Sequence, residues 1–479
     1  MFSAIFSPQE LHVAISAIGG IAAHWAYFIH GELDVKAANI ARLQLAVFAL
    51  LTYLKFSYED LSIWEALLRS AVVAGGYVVG LSIIIIIFWL SPRLSPLGHV
   101  PGPFSYRFSK LPHMWHMGLR RKCEILEDLH GQYGDVVRTG PNEVTVFGLD
   151  AYNQVHESDS KCIRAAYYDI LHPLVSLDTT RDEQIHTYRR KLWDQAFSIK
   201  SLEGAESIVY SRAAELVNQL QAREGQVLNI SAWLEYYTFD FMGLFGLTID
   251  FKKLTEGEHP ILKIHHIAHH LMGPLAAVPW LKHLLMGIAF VERVKYYRHF
   301  FSWAGKELER NIQNNKSERQ NVIGYVLSDA KRNGGVKANW NFVLGDFCLV
   351  IIAGSDPVRQ GGMTINGTYI PEYTTIMTPQ YSLMRDPRYL VRPTEWIPER
   401  FTTRPEVVLN KSAFVPWAIG KKSCLGKNLS LMEIRIGAAL LLTGFDFRFV
   451  AGEDGTRMFT QATDFFTTTP GPLEVVLKT

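Results

Sequence analysis

The residues best suited to chemistry lie in FVPWAIGKKSCLGKNLS, Phe414 to Ser430, where Cys424 stands between Gly420 and Gly426 with Lys421, Lys422 and Lys427 close by. Downstream, Leu425, Leu429, Met432, Ile436 and Ala439 fall on one helical face, so Cys424 is expected at or just before a helix N-terminus. Free backbone amides and the positive end of the helix dipole favour a thiolate there, and the lysines push the same way. The glycines allow left-handed angles and let a flat group approach the backbone. Such a thiolate can be a nucleophile, a zinc ligand or a haem ligand. Zinc needs three or four clustered ligands, and no Cys or His is near enough in sequence to suggest them. A nucleophile wants a partner histidine, which the sequence neither supplies nor excludes. The bland alternative is an inert, buried cysteine.

The elements that must position this loop begin with a membrane anchor. Ser70 to Ser91 carries no charge, and as a helix it is long enough to cross a bilayer. Leu11 to Ile29 is a second apolar stretch, and Leu43 to Leu54 a shorter one bounded by Arg42 and Lys55. Arg93, Arg107, Lys110, Arg120, Arg121 and Lys122 follow the last stretch, which places the body on the cytosolic side. Pro92, Pro96, Pro101 and Pro103 then predict a stiff, non-helical arm. The body is long enough for a sizeable core, and a formal net charge of +2 gives no footprint for nucleic acid. Four cysteines are too sparse for a disulfide framework.

The body reads as mostly helical. Tyr188 to Phe197, Leu202 to Leu220 and Ser231 to Leu247 carry apolar residues at three-to-four spacing. GDVVRTGPNEVTVFG predicts an early hairpin, and MTINGTYIP, FDFRFV and LEVVLK predict late strands. RNIQNNKSERQN is a polar loop or helix end.

Taken together, Trp417, Gly420, Lys422, Cys424 and Gly426 resemble the haem-binding signature of the cytochrome P-450 family, usually Phe-x-x-Gly-x-Arg-x-Cys-x-Gly. Trp417 replaces the Phe and Lys422 the Arg; lysine keeps the charge and loses the bidentate fork. PGPF resembles the family's hinge, and HTYRRKLWDQAFS its propionate-clamping helix, with His186 and Arg190 on one face. WIPERF resembles the meander, with Arg400 as its arginine, and AGSD (Ala353 to Asp356) resembles the oxygen-side helix.

The resemblance implies a mainly α fold with a small β region, preceded by N-terminal transmembrane helices. It divides the chain into an anchor of two or three spans (1–90), a proline-rich hinge (91–104) and a haem-binding monooxygenase domain (105–479). It implies heme b with Cys424 as axial ligand, and Trp417, Gly420, Lys422, Gly426, His186 and Arg190 around the cofactor. Asp356 would serve the proton relay, and Gly354 would leave room for oxygen. Electrons would come from NADPH through an NADPH-cytochrome reductase, which Lys411, Lys421 and Lys427 could receive. The implied substrate is an apolar small molecule, as in fungal secondary-metabolite biosynthesis. The implied place is the endoplasmic reticulum membrane, facing the cytosol.

The family pattern also breaks. After Asp356 the distal helix should meet a threonine, but Pro357 follows and should end the helix. The Glu-x-x-Arg helix that normally holds the meander arginine does not occur between Asp356 and Cys424. Glu307 to Arg310, the one such pattern present, lies upstream and reads as a solvated helix face. A block of helices is therefore missing near residue 357, and Arg400, if buried, is expected to lack its partners. Two origins fit: a shortened chain, or a reading frame joined across a lost segment. Two other functions stay open, a haem-binding pseudoenzyme and a membrane protein whose cysteine is structural.

Overall fold

The computed structural model describes residues 7–118, 121–275, 277–286, 292–314, 321–350, 357–359, 362–464 and 468–479. Three N-terminal helices come first: α1 (Pro8–Ala23), α2 (Ala37–Tyr58) and α3 (Ile63–Leu90). With their flanking turns they form three segments long and apolar enough to cross a membrane, Pro8–Phe28, Asp34–Tyr58 and Ile63–Leu90. The short run Leu43 to Leu54 is thus the middle of a full-length helix. Its flanking charges are tolerated because they are engaged locally: Arg42 donates to Asn39 at 2.8 Å, and Lys55 pairs with Glu59 one turn on at 3.0 Å.

α1 and α3 pack in parallel through glycine. A Cβ at Gly80 would lie 2.0 Å from the Ala17 carbonyl oxygen, and one at Gly20 would lie 2.2 Å from that of Tyr77. Only hydrogen fits, so the two backbones touch as small-residue interfaces in membranes do. Gly76 and Gly80, four apart in the sequence, carried this signal unread.

The proline-rich stretch after α3 runs as turns, and it docks rather than hangs free. Leu97 and Val100 are fully buried in the cluster that also holds Val136, Val144, Val146 and Ile376. Arg138, with no exposed surface, fastens the arm. Its guanidinium donates to Ser95 Oγ (3.0 Å) and to the carbonyls of Leu97 (3.3 Å), Arg107 (3.1 Å), Gly140 (3.2 Å) and Pro141 (2.9 Å).

The expected hairpin is β1 (Val136–Gly140) with β2 (Glu143–Val146). β3 (Cys162–Arg164), β5 (Pro357–Arg359) and β8 (Thr375–Met377) join it in the order β1-β2-β8-β5-β3. β4 (Val227–Asn229), β9 (Asp446–Phe449) and β12 (Glu474–Lys478) form a second sheet, with β12 central. β6 (Met363–Ile365) and β7 (Thr368–Ile370) make the Asn-Gly hairpin, and β10 (Thr463–Asp464) pairs with β11 (Thr468–Thr469).

The body's helices are α4 (Leu111–Met117), α5 (Lys122–Tyr133), α6 (Leu149–His156), α7 (Glu183–Ala196), α8 (Ile199–Gln221) and α9 (Ile230–Met242). Then come α10 (Lys253–Glu256), α11 (Pro260–Leu275), α12 (Pro279–Met286), α13 (Glu292–Gln313), α14 (Val322–Arg332) and α15 (Trp340–Leu349). The last are α16 (Gln380–Leu383), α17 (Lys427–Gly444) and α18 (Thr456–Thr460). The main core is helical: Trp193, Val209, Phe241, Phe300, Leu308, Leu327, Phe347 and Leu429 meet from seven helices.

Only residues 350–356 separate α15 from β5, so no block of helices stands between the oxygen-side helix and the sheet. Ala353 to Asp356, with both Gly354 and Asp356, lie outside the described residues. Glu307 and Arg310 pair with each other on α13, Arg310 well exposed, as a solvated face would.

Arg138→Met would strand four carbonyls and a hydroxyl that now share one cation. The full chain in detergent is expected to lose about 3 kcal/mol or more. A lowered melting temperature and new proteolysis within residues 91–104 would report it.

Candidate active site

The Cys424 loop is held by backbone geometry. The Cys424 amide donates to the Trp417 carbonyl at 2.8 Å, and Gly426 caps α17, its carbonyl accepting from Ser430 at 2.8 Å. Cys424 therefore sits two residues before the helix N-cap, as its sequence position implied. Its thiol is exposed, and all four cysteines are free. Gly420 is at φ +68°, and a Cβ there would lie 2.0 Å from the His156 carbonyl oxygen, so that position admits only glycine. Gly426 differs from expectation: its φ of −73° suits any residue. What it leaves is space beside the sulfur, since a Cβ would lie 3.8 Å from Sγ.

α7 ties this loop to α15. Asp182 caps its start, accepting from the amides of Gln184 and Ile185. On the side toward α15, Arg189 and Trp193 Nε1 (3.1 Å) both donate to Oδ2 of the fully buried Asp346. Asp346 Oδ1 accepts from the Leu177 amide at 2.7 Å. On the side toward the loop, Arg190 Nη1 donates to the carbonyls of Ser423 (2.7 Å) and Lys421 (3.3 Å). Arg190 thus grips the residue next to Cys424. The sequence reading missed Arg189 and Asp346; the signal was a lone carboxylate inside the apolar run FVLGDFCLV.

His186, Arg190 and Lys422 come together, and Arg164 on β3 and Lys421, read from the sequence as part of a reductase-docking face, join them unforeseen. His186 is buried and pushed down to about 3, first by burial and then by Arg164, Lys422, Arg190 and Lys421. Every neighbour named there is a cation. Lys422 donates to the Cys162 carbonyl at 2.8 Å and pairs with Glu183 at 3.3 Å. Burial lowers its pKa, Glu183 partly opposing. Arg164 reaches the Thr180 carbonyl (3.2 Å) and Asp178 (3.4 Å), while its buried Nε has no partner.

These residues fit a haem. One exposed thiol with space beside it suits axial ligation, and a buried, cation-rich cluster with an unmet guanidinium donor suits two propionates. Trp417 is half-buried at the loop's start. Among the described residues no three His, Cys, Asp or Glu side chains cluster as metal ligands.

Arg400 corrects one expectation. It is buried, yet its guanidinium donates to four backbone carbonyls: Ile397 (3.2 Å), Val391 (3.2 Å), Arg392 (3.0 Å) and Glu395 (3.1 Å). The meander folds round its own arginine and supplies dipoles in place of the missing carboxylate.

The cytochrome P450 family model, written below as P-450, matches residues 107–359 and 358–477, nearly the whole body. The chain belongs to the cytochrome P-450 family. Members of the family are haem-dependent monooxygenases, and the curated relatives are named so. The chain is 29% identical to "Cytochrome P-450 monooxygenase FCK2" of Fusarium pseudograminearum, covering 92% of each chain. It is 25% identical to "Tryprostatin B 6-hydroxylase" of Aspergillus fumigatus, covering 97% of this chain and 96% of that one. The alignment with the Fusarium protein runs over 517 positions, more than the 479 residues of this P-450, although it covers only 92% of them. Dozens of the relative's positions therefore face no residue here, and the family match breaks in two within β5, at Val358–Arg359. A cytochrome P-450 haem-domain crystal structure shares the fold, with TM-score 0.55 and 13% identity over 70% of this chain and 86% of that one.

Two outcomes follow. Arg190→Ala should free the Ser423 carbonyl and cut haem retention several-fold, which pigment content per mole of purified protein measures; Arg190→Lys should recover part of it. His186 sets a pH dependence. Folded, it is held neutral down to about 3; unfolded, it protonates below about 6.5. The unfolded state binds the extra proton in that window, so this share of stability is full above it and fades as pH falls. In melts of the haem-free chain at about pH 7 and about pH 5, His186→Gln should lose less stability on acidification than the native chain.

Proposed function

We propose that this chain is a membrane-anchored monooxygenase that oxidises an apolar small molecule in fungal secondary metabolism, with Cys424 as the axial ligand of heme b. The observation that carries it is the exposed thiol beside a buried cluster of cations on one side of α7. Bound there, a thiolate-ligated haem supplies the chemistry of oxygen activation.

The chain's own residues would then have separate tasks. Trp417 and Gly420 shape the loop, and Gly426 keeps space beside the sulfur. Arg190 fixes the loop through Ser423. His186, Arg164, Arg190 and Lys422 would face the propionates, where an anion offsets the cations that add to burial in keeping His186 neutral. Asp356 and Gly354 would serve the oxygen side, Asp356 by holding a proton and Gly354 by leaving space. Lys411, Lys421 and Lys427 are exposed, which suits docking of an NADPH-cytochrome reductase with an acidic face. Residues 1–90 would hold the protein in the endoplasmic reticulum membrane, 91–104 would set its angle, and 105–479 would work in the cytosol.

A second reading has its own support. Among the described residues Arg400 donates to carbonyls, and only residues 350–356 lie between α15 and β5 in the chain, so a haem-binding pseudoenzyme is the alternative. Spectra and turnover separate the two. Reduced protein under carbon monoxide should show the red-shifted Soret band of thiolate ligation, and Cys424→Ser should abolish it. Unchanged pigment in Cys424→Ser would sink both readings. A normal band with no NADPH-dependent oxygen consumption, reductase present, would leave the pseudoenzyme. Transcript sequencing across Asp356–Pro357 tells a shortened gene from a lost segment.

A further inference from the structure

α1 and α2 each pack along α3 and hardly touch one another, so the anchor is open between them. The opening is a cleft of about 490 Å³, within the usual range of small-molecule sites. Ile15, Leu51, Leu54 and Val73 line its apolar part, while His12, Lys55 and Glu59 supply polar groups. It lies at the end of the bundle remote from the body. His12 is near the start of α1 and Lys55 near the end of α2, whereas the connection between those helices, at the other end, bonds to Arg181 and Trp280.

Lys55 is the unusual residue. A lysine near the end of a span normally runs its stem outward and leaves the ammonium in interfacial water. Lys55 instead turns inward and is 4% exposed, one turn from the buried Thr52. Of its three N–H groups one meets Glu59 Oε1 at 3.0 Å, and the other oxygen of Glu59 faces Arg69 on α3 at 3.5 Å. His12 comes close enough to act on the same carboxylate. Glu59 is the one acidic residue among the described residues lining the cleft. Glu10 and Glu65, on the other two helices, are taken up by capping boxes. Two cations and a histidine thus share a single carboxylate at the head of an apolar slot. An unmatched cation is costly there unless an anion answers it.

We propose that this cleft binds an acidic membrane phospholipid, its phosphate accepting from Lys55 and His12 and its acyl chain lying against Ile15, Leu51, Leu54 and Val73. Charge selects the occupant. The phosphodiester of an acidic lipid brings the negative charge that the cleft lacks, whereas the choline of phosphatidylcholine cancels its own phosphate. The lipid joins α1 to α2, which pack on α3 but not on each other. The proposal concerns the anchor alone and stands apart from the Cys424 assignment.

The test needs no haem, so its failure and that of the Cys424 assignment are distinguishable. The full chain, purified in nonionic detergent, is mixed with equal amounts of dioleoyl phosphatidylglycerol and dioleoyl phosphatidylcholine, and native mass spectrometry reads the lipid it retains. The acidic lipid should be favoured about tenfold or more. Leu51→Trp fills the apolar part of the cleft and alters no charge; it should bring the two lipids near parity with the lipid-free melting temperature kept. Lys55→Met should also remove the preference, and Lys55→Arg should keep it. Equal retention of the two lipids by the native chain, or an undiminished preference in Leu51→Trp or Lys55→Met, would overturn the site. Glycerol 3-phosphate, a headgroup without chains, should leave the bound lipid in place. Its displacing the lipid would mark a bare anion site and overturn the lipid assignment.

Discussion

The carboxylate of Asp346 is buried to zero exposure and accepts three hydrogen bonds, from Arg189, Trp193 and the Leu177 amide. Most of the site depends on that arrangement. Breaking a buried pair by removing one partner costs about 3–5 kcal/mol, a large share of what holds a domain together. The stake is positional as well as energetic. α7 is fixed against α15 through Arg189 and Trp193, and one residue further round the helix Arg190 grips the carbonyl before Cys424. Two successive arginines, about 100° apart round the helix, thus tie α7 both to α15 and to the Cys424 loop.

Arg138 and Arg400 solve the burial of a guanidinium in another way, by surrounding it with carbonyl oxygens. Carbonyl dipoles satisfy the donors but do not neutralise the charge, which is why burial still pushes Arg138 down to about 10. For Arg138 the carbonyls come from the arm and the hairpin, so the cage joins two segments. For Arg400 they all come from residues 391–397, its own meander. The arginine therefore staples a loop to itself. Among the described residues, no carboxylate from a neighbouring helix links meander to core through Arg400.

Much of this was legible in the sequence because it rests on short-range patterns. The hairpin around Pro141–Asn142, the Asn366–Gly367 turn, the helix after Gly426 and the anchor all depend on periodicity or local backbone preference. The Cys424 loop was legible because glycine and cysteine at fixed spacing constrain backbone and chemistry together. The pairing of Arg189 with Asp346, and the arrival of Arg164 beside His186, were not legible, because residues far apart in sequence meet only when helices pack. The middle span was underestimated for a related reason. Arg42 and Lys55 look like boundaries in a hydropathy scan, yet each finds a partner within one turn and the helix passes through them.

The anchor and the active site are also joined more tightly than an anchor and a hinge would suggest. Between α1 and α2, Glu32 pairs with Arg181 at 2.5 Å, and Asp34 accepts from the Trp280 amide at 3.0 Å. Arg181 also donates to the Arg164 carbonyl (2.9 Å) and to Asp169 (2.7 Å). The connection between the first two spans is thereby bonded to the segment that carries Arg164 and leads into α7. The docked arm holds the body at the same end of the bundle through Arg138. Two attachments at that end define an orientation where a single flexible hinge would leave the body free to tilt.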